Sequence, residues 1–173
     1  AIVRVLRGRG YFAERPEPRL MDLLDIVALG TVADVAQLKG LNRAFVAQGL
    51  KVMSARRNVG LNALASAARL NRAPTCSDLG FALGPRINAG GRVGKSDLGV
   101  RLLTTADPEE ARLIAQELDR LNEERRAIEA QVQEAAEAAM ATQHNRAVAL
   151  VSGEGWHPGV IGIAAGRLKE RLM

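Results

Sequence analysis

Hydrophobic side chains recur at helical spacing along most of the chain. Between residues 21 and 72 three such stretches follow one another, MDLLDIVALG, LNRAFVAQGLKVM and LNALASAARL. The first is apolar on nearly every face, which predicts a largely buried helix with Gly30 as its C-terminal cap. Residues 21–72 are therefore expected to be mostly helical, after a turn-rich connector, RPEPRL, that ends the first twenty residues.

One long helix is predicted over residues 107–141. Asp107 suits the N-cap, Pro108 suits the first helical position, and Glu110 would complete a capping box. Apolar positions then alternate in four- and three-residue steps from Ile114 onward, a narrow stripe typical of a helix that packs on one partner. At ~1.5 Å per residue the helix would be ~50 Å long. It either bridges two domains or forms a coiled-coil dimer.

The pattern changes after residue 145 to an unbroken apolar run, RAVALVSG. Such a run predicts a buried parallel strand that opens an α/β domain. GEGWHPGVIG then leads from this strand into another helix, with Pro158 in its first turn. Residues 73–106, in contrast, are predicted to be a loop-rich segment followed by a short helix in LGVRLLTT.

Charge is unevenly distributed along the 173 residues, whose net charge is +5. Residues 1–106 carry sixteen basic and seven acidic side chains, a net of +9, whereas residues 107–173 carry eight and twelve, a net of −4. Twenty of the basic residues are arginines and four are lysines. Because arginine favours bidentate contact with phosphate, the first part of the chain is expected to bind a polyanion.

Several classes of protein are excluded by composition. A single cysteine, Cys76, rules out an internal disulfide framework and a cysteine-only zinc site, and it fits a reducing, cytoplasmic setting. No run approaches the ~20 apolar residues of a membrane span, and the first residues show no secretory pattern. The chain starts without methionine and stops within an amphipathic pattern, GRLKERLM, so we expect a fragment of a longer protein.

GEGWHPGVIG offers one candidate site, because the N–H groups of a helical first turn would attract an anion. His157 there would hold a phosphate, move a proton or ligate a metal, or it would only cap the loop. Trp156 either packs or stacks on a base. The spacing of Gly153, Gly155 and Gly159 loosely resembles a dinucleotide-binding fingerprint.

GFALGPRINAGGRVG offers a second site, with five glycines that let the backbone approach a ligand closely. Arg86 and Arg92, on either side of Asn88, are placed to fork onto successive phosphates. The alternative is a loop that joins two domains, with its arginines paired to Asp78 and Asp97.

Asp34, in GTVADV, is a third candidate because it lies among small apolar residues just after a predicted buried helix. A buried carboxylate is seldom left unpaired, so we expect either an arginine or a metal ion beside it. One carboxylate does not make a metal site by itself.

Three stretches together resemble the later motifs of the bacterial RecJ nucleases, in the DHH phosphoesterase superfamily: LLDIVALGTVADVAQLKGLNR, GFALGPRINAGGRVG and GWHPGVIGIAAGRLKER. They occur in that family's order, and the resemblance covers the chain from about residue 20. It implies an α/β fold that is mostly helical here. Residues 1–106 would be the C-terminal part of the DHH catalytic domain, residues 107–143 a connecting helix, and residues 144–173 the start of a DHH-associated domain.

The resemblance implies an exonuclease that hydrolyses single-stranded DNA from 5′ to 3′ in DNA repair and recombination. Two Mn²⁺ or Mg²⁺ ions would hold the phosphodiester and activate a water. A single-strand-binding protein or a helicase would be a partner. One alternative is an oligonucleotide or cyclic-dinucleotide phosphodiesterase of the same superfamily, and another is a non-catalytic nucleic-acid-binding or assembly module.

The resemblance also implies roles for individual residues. Asp34 would be a metal ligand, and Asp34, Arg86 and His157 would be catalytic. Substrate binding would fall on the residues of the last two motifs: Arg86, Asn88, Arg92, Trp156, His157 and Gly159. The family's earlier aspartate motifs and its Asp-His-His signature are absent from this sequence. Most metal ligands are therefore missing, and the chain as given is expected to be inactive.

Overall fold

The structure is a computed structural model that describes residues 2–141 and 148–172. These ranges are mostly helical, as predicted, and they contain no β-strand and no helix long and apolar enough to cross a membrane. The helices are α1 (Ile2–Gly8), α2 (Leu24–Ala33), α3 (Gly40–Ser54), α4 (Val59–Ala67), α5 (Cys76–Asp78), α6 (Gly84–Val93), α7 (Leu98–Thr104), α8 (Pro108–Met140) and α9 (Pro158–Leu172). A 3₁₀ turn (Leu20–Leu23) precedes α2, and a π-helical turn (Leu79–Leu83) joins α5 to α6.

The main core lies between the first half of α8 and the helices that precede it. Helix α3 packs along α2, while α4, α6 and α7 pack on α8. The fully buried leucines of this main core are Leu64, Leu79, Leu83, Leu102 and Leu118. Because burying one leucine contributes roughly 1.5–3 kcal/mol, this shared core fixes α6 against α8.

Helix α8 begins as predicted, but its capping differs. Asp107 accepts a hydrogen bond from the N–H of Glu109 at 2.9 Å, and Pro108 is the first helical residue. The predicted capping box is wrong, because Glu110 turns outward and accepts from Thr105 Oγ1 at 2.6 Å and from Arg101 Nη2 at 2.9 Å. These bonds tie the start of α8 to the end of α7.

A second, smaller cluster holds α9 against the other half of α8. Val132 of α8 packs with Val160 and Ala164 of α9, and all three are buried. Ile128, Val93 and Trp156 pack against this cluster. The two halves of the apolar stripe of α8 therefore face different partners, the main core first and α9 second.

The predicted buried strand is wrong for residues 148–153, which form no strand. Val148 and Leu150 are 72% and 76% exposed, and they line an open apolar groove of about 890 Å³ with α8 and α9. Residues 146 and 147, the start of that predicted strand, lie outside the described residues, as does His144. A strand needs a neighbouring strand for its backbone hydrogen bonds, and the described ranges supply none.

Candidate nucleic-acid interface

Asp34 lies at the exposed C-terminal end of α2. The helix does not end at Gly30 as predicted but continues to Ala33, because the N–H of Asp34 still donates to the carbonyl oxygen of Gly30 at 3.0 Å. The next residue, Val35, has a positive φ of 56° and turns the chain away. The expected burial of Asp34 is therefore wrong: its carboxylate is exposed, and no side chain in residues 2–141 or 148–172 pairs with it.

The glycine-rich stretch is a helix rather than the predicted loop. Residues 76–93 run through α5, the π turn and α6 without interruption. A Cβ on Gly84 would lie 3.0 Å from the Cβ of Ala33, and a Cβ on Gly90 would lie 3.0 Å from Leu118 Cδ2. The glycines thus let α6 approach both α2 and α8, which outweighs their low helix propensity. Since Ala33 precedes Asp34, this packing brings the Asp34 turn beside the helix that carries Arg86.

Arg86 is held in place by two hydrogen bonds. Its Nε donates to Asp119 Oδ1 on α8 at 2.7 Å, and its Nη1 donates to the carbonyl oxygen of Ala82 at 2.7 Å. The side chain is only 18% exposed. Nη2 has no acceptor among the described residues, so this nitrogen remains able to contact a ligand. The arginine is oriented before any ligand arrives, which reduces the entropy that binding would cost.

The alternative pairing predicted for these arginines is wrong. Asp78 pairs instead with Arg72, whose Nη1 lies 2.6 Å from Oδ2. This guanidinium and the hydrogen bonds from Thr75 hold the pKa of the Asp78 carboxyl well below its usual range. Asp97 faces Arg101 at 4.0 Å. Neither acid occupies Arg86 or Arg92.

Arg92 connects the last turn of α6 to the first turn of α9. It is exposed, and its Nη1 donates to the carbonyl oxygen of Gly159 at 3.1 Å. A Cβ on Gly159 would collide with the carbonyl oxygen of Arg92, so the two backbones are in direct contact. Asn88, one helical turn earlier, is half-buried, and its amide makes no hydrogen bond within the described ranges. The structure therefore brings together two motifs that are about seventy residues apart in sequence.

His157 caps α9. Its Nδ1 accepts a hydrogen bond from the N–H of Gly159 at 3.0 Å, and its carbonyl oxygen accepts from the N–H of Val160 at 3.0 Å. The predicted group of unpaired N–H donors is therefore partly occupied by His157 itself. With Nδ1 as acceptor, the neutral ring carries its proton on Nε2, which makes that atom a donor. Trp156 is half-buried and packs on the small cluster, while the Gly153 backbone lies under its ring.

A charge network centred on the buried Glu129, which the sequence patterns did not indicate, holds α9 against α8. Glu129 is 1% exposed and pairs with Arg125 one turn earlier and with Arg167 of α9, the latter at 2.5 Å between Oε1 and Nη2. Arg125 also donates to Asn122 Oδ1 at 3.2 Å. Burial lowers the pKa of the Arg125 guanidinium, opposed by Glu129 and assisted by the nearby charge of Arg92. The one available signal was that Arg125 occupies a position of the otherwise apolar stripe of α8.

The described residues do not form a metal centre by themselves. They contain no group of three or more histidine, cysteine, aspartate or glutamate side chains arranged to hold an ion. Asp34 is a lone carboxylate, and His157 directs one ring nitrogen to the backbone. The arrangement offers an oriented guanidinium at Arg86 and, at the contact between α6 and α9, the donors of Arg92 and His157. Donors of this kind suit a phosphate backbone.

Comparison with known proteins gives consistent results, although no protein-family model matches the sequence. The single-stranded-DNA-specific exonuclease RecJ of Dickeya dadantii (strain 3937) is 45% identical over 177 residues, covering 96% of this chain and 31% of the relative. A crystal structure of RecJ with Mg²⁺ from Thermus thermophilus has a TM-score of 0.77 at 35% identity, covering 94% of this chain and 25% of that one. A structure of exonuclease RecJ bound to manganese has a TM-score of 0.80 at 34% identity, covering 94% and 40%. The chain thus spans about a third of the length of this curated relative.

Proposed function

The chain belongs to the RecJ family over the region that it spans, and from that premise we propose that it forms part of a metal-dependent exonuclease for single-stranded DNA. The proposed reaction is phosphodiester hydrolysis from 5′ to 3′, in cytoplasmic DNA repair and recombination. A single-strand-binding protein or a helicase is the proposed protein partner. The observation that carries the proposal is the hydrogen bond from Arg92 to Gly159, since it joins the two motifs expected to bind DNA into one surface.

The proposed domain division follows the packing of α8. Residues 1–106 belong to the C-terminal part of the DHH catalytic domain, residues 107–143 form the connecting helix, and residues 144–173 begin the associated domain. This division is supported by the separate packing of the main core and of α9 on the two halves of α8.

In the proposed site, Arg86, Asn88 and Arg92 contact the DNA backbone. Arg86 offers its Nη2 and Asn88 its side-chain amide, neither of which has a hydrogen-bond partner among residues 2–141 and 148–172. Guanidiniums at these positions would offset the negative charge that develops on the phosphoryl oxygens during hydrolysis. Because such contacts ignore base identity, binding would depend strongly on salt and weakly on sequence.

His157 and Trp156 form the other side of the proposed site. The Nε2–H of His157 is placed to donate to a phosphate oxygen or to a leaving group, since Nδ1 is held by the Gly159 backbone. Trp156 supports this loop by packing on the small cluster, and Gly159 allows it to approach Arg92.

Mn²⁺ or Mg²⁺ is the proposed cofactor, in keeping with the ions in the solved RecJ structures. Asp34 is the ligand that we assign within this chain. One carboxylate does not complete a site for a hard divalent ion, so the remaining ligands must come from other parts of the protein. We therefore expect residues 1–173 alone to bind Mn²⁺ weakly, and tight stoichiometric binding in a titration would contradict this assignment of ligands.

Degradation of end-labelled oligonucleotides by the full-length protein tests the proposal. We expect Mn²⁺-dependent loss of single-stranded DNA, with duplex DNA resistant. Asp34→Asn should abolish cleavage with little loss of DNA binding, while Asp97→Asn, another exposed carboxylate, should leave both unchanged. If the parent protein leaves single-stranded DNA intact, or if Asp34→Asn cleaves normally, the proposed function or the role of Asp34 is wrong.

A further inference from the structure

Phe81 is an aromatic side chain that the fold leaves in solvent. It is 86% exposed, whereas Leu79 and Leu83, two residues before and after it, are completely buried. All three belong to the π turn, in which the N–H of Gly84 donates to the carbonyl oxygen of Leu79. This wider turn changes the direction of successive side chains, and such turns occur frequently at functional sites. A large exposed aromatic ring at a π turn therefore indicates a contact surface.

Two polar residues that follow Phe81 lie on the same side of its helix. Asn88 and Arg92 follow at intervals of seven and four residues, which places the three side chains along one face of the continuous helix. We refer to the exposed Phe81 and Arg92, with the half-buried Asn88 between them, as the exposed strip. Eleven residues at 1.5 Å each give it a length of about 16 Å, which is several nucleotides. Leu83, which lies about 180° around the helix from Arg92, is buried.

The chemistry of the exposed strip is that of a single-strand contact. An aromatic ring stacks on any base, because every base has a π face, while an amide and a guanidinium hold sugar and phosphate. Stacking requires a base whose face is free, and a base inside a duplex has no free face. An exposed ring at one end of a phosphate-binding strip would therefore favour single strands over duplexes.

We propose that Phe81 stacks on a base of single-stranded DNA whose phosphates are held by the rest of the exposed strip. This inference rests on the proposed function, and it names how the same surface recognises its substrate. Phe81 also lies on the helix that packs beside the Asp34 turn, with Gly80 against Val32 of α2.

The test measures binding of the full-length protein to two strands of equal length, oligo(dT) and a strand of abasic residues. Phe81→Ala should bind oligo(dT) about 5- to 100-fold more weakly than the parent protein. Phe81→Trp should restore binding. Neither substitution should change binding to the abasic strand. Val100→Ala removes another exposed apolar side chain, on α7, and should change nothing.

Salt dependence and fluorescence separate stacking from electrostatic contact. Phe81→Ala should leave the slope of log affinity against log salt unchanged, whereas Arg92→Ala should reduce its magnitude by about 1. In Phe81→Trp, oligo(dT) should quench a tryptophan signal beyond that of Trp156 in the parent protein.

Two outcomes would overturn the inference while the proposed function stands. In the first, the parent protein binds oligo(dT) and Phe81→Ala binds it equally well. In the second, Phe81→Ala loses affinity equally for both strands and melts at a lower temperature, which would mean that another part of the protein covers Phe81. A parent protein that binds no single-stranded DNA would instead contradict the proposed function itself.

Discussion

The guanidinium of Arg92 donates from Nη1 to the carbonyl oxygen of Gly159 at 3.1 Å, and this contact joins the end of α6 to the start of α9. The absence of a side chain at Gly159 is what permits it, because a Cβ there would collide with the Arg92 backbone. Two motifs from distant parts of the chain therefore share one surface only while this position remains glycine.

Gly159→Ala should push α9 away from α6. We expect a loss of about 1–3 kcal/mol in the free energy of unfolding, since an added methyl group in a close-packed contact forces backbone movement. The rate at which the full-length protein degrades single-stranded DNA should also fall, because the two motifs would move apart. Denaturation and nuclease assays measure both effects. Gly162→Ala is the matched control, because nothing lies within 4 Å of its added Cβ; equal effects of the two substitutions would contradict the packing argument.

Arg86→Ala should weaken DNA binding and turnover, and it should also lower stability. Its removal leaves the Asp119 carboxylate without the Nε donor and the Ala82 carbonyl without Nη1, at a cost of about 1–3 kcal/mol. Arg86→Lys should recover only part of the lost DNA binding, turnover and stability, since an ammonium group cannot reproduce the two hydrogen bonds that a guanidinium makes at fixed angles.

Asp119→Asn distinguishes the two roles of Arg86. It should share the loss of stability but retain most of the DNA affinity, because the arginine remains. Affinity and unfolding midpoints measured on the same preparations provide the comparison. Normal turnover by Arg86→Ala would mean that the arginine only joins α6 to α8.

Glu129→Ala should destabilise the attachment of α9 to α8. It leaves Arg125, which is only 12% exposed, without its counter-ion, and breaking such a buried pair costs about 3–5 kcal/mol. Glu137→Ala is the matched control because Glu137 pairs with Arg171 across the same two helices but at the surface. Urea unfolding should show a large decrease in the free energy of unfolding for Glu129→Ala and little change for Glu137→Ala.

Asp25 gives a pH dependence. It is 2% exposed, and burial raises the pKa of its carboxyl, assisted by Asp22 and opposed by the N–H of Ile26. Since the folded pKa exceeds the unfolded one, ionised Asp25 lowers stability at neutral pH, and this effect disappears as the pH falls through the raised pKa. Asp25→Asn should therefore melt higher than the parent at pH 7, with the difference vanishing near pH 4. A difference that is constant over this range would contradict the argument.

Local patterns predicted the long helix well because its signals are local. Asp107 and Pro108 define its start, and the apolar stripe defines its face. The end of α2 and the helix over residues 76–93 were not predicted, because Gly30 was interpreted as a helix C-cap and the glycines of residues 80–94 as positions where the backbone approaches a ligand. In the fold, Gly84 and Gly90 serve instead to bring neighbouring helices close, which depends on partners distant in sequence.

The site was predicted in part. The resemblance to RecJ selected Arg92 and Gly159, and the structure places them in contact, while their roles remain predictions. The partner of Arg86 was missed because Asp119 lies 33 residues away, on another helix. The buried strand was not found in residues 148–153, because an apolar run becomes a strand only when neighbouring strands supply hydrogen bonds.

Because α8 packs on the main core with its first half and on α9 with its second half, the number of residues between the two contacts sets the angle between α6 and α9 around the α8 axis. One residue inserted between Leu121 and Val132 would rotate α9 by about 100° around the helix axis relative to α6, and it would carry His157 away from Arg92. Four inserted residues would nearly restore the angle while lengthening the rod by about 6 Å. The length of α8 therefore sets both the distance and the rotation between α6 and α9. An insertion in this helix should separate the two motifs that meet at Arg92 and Gly159.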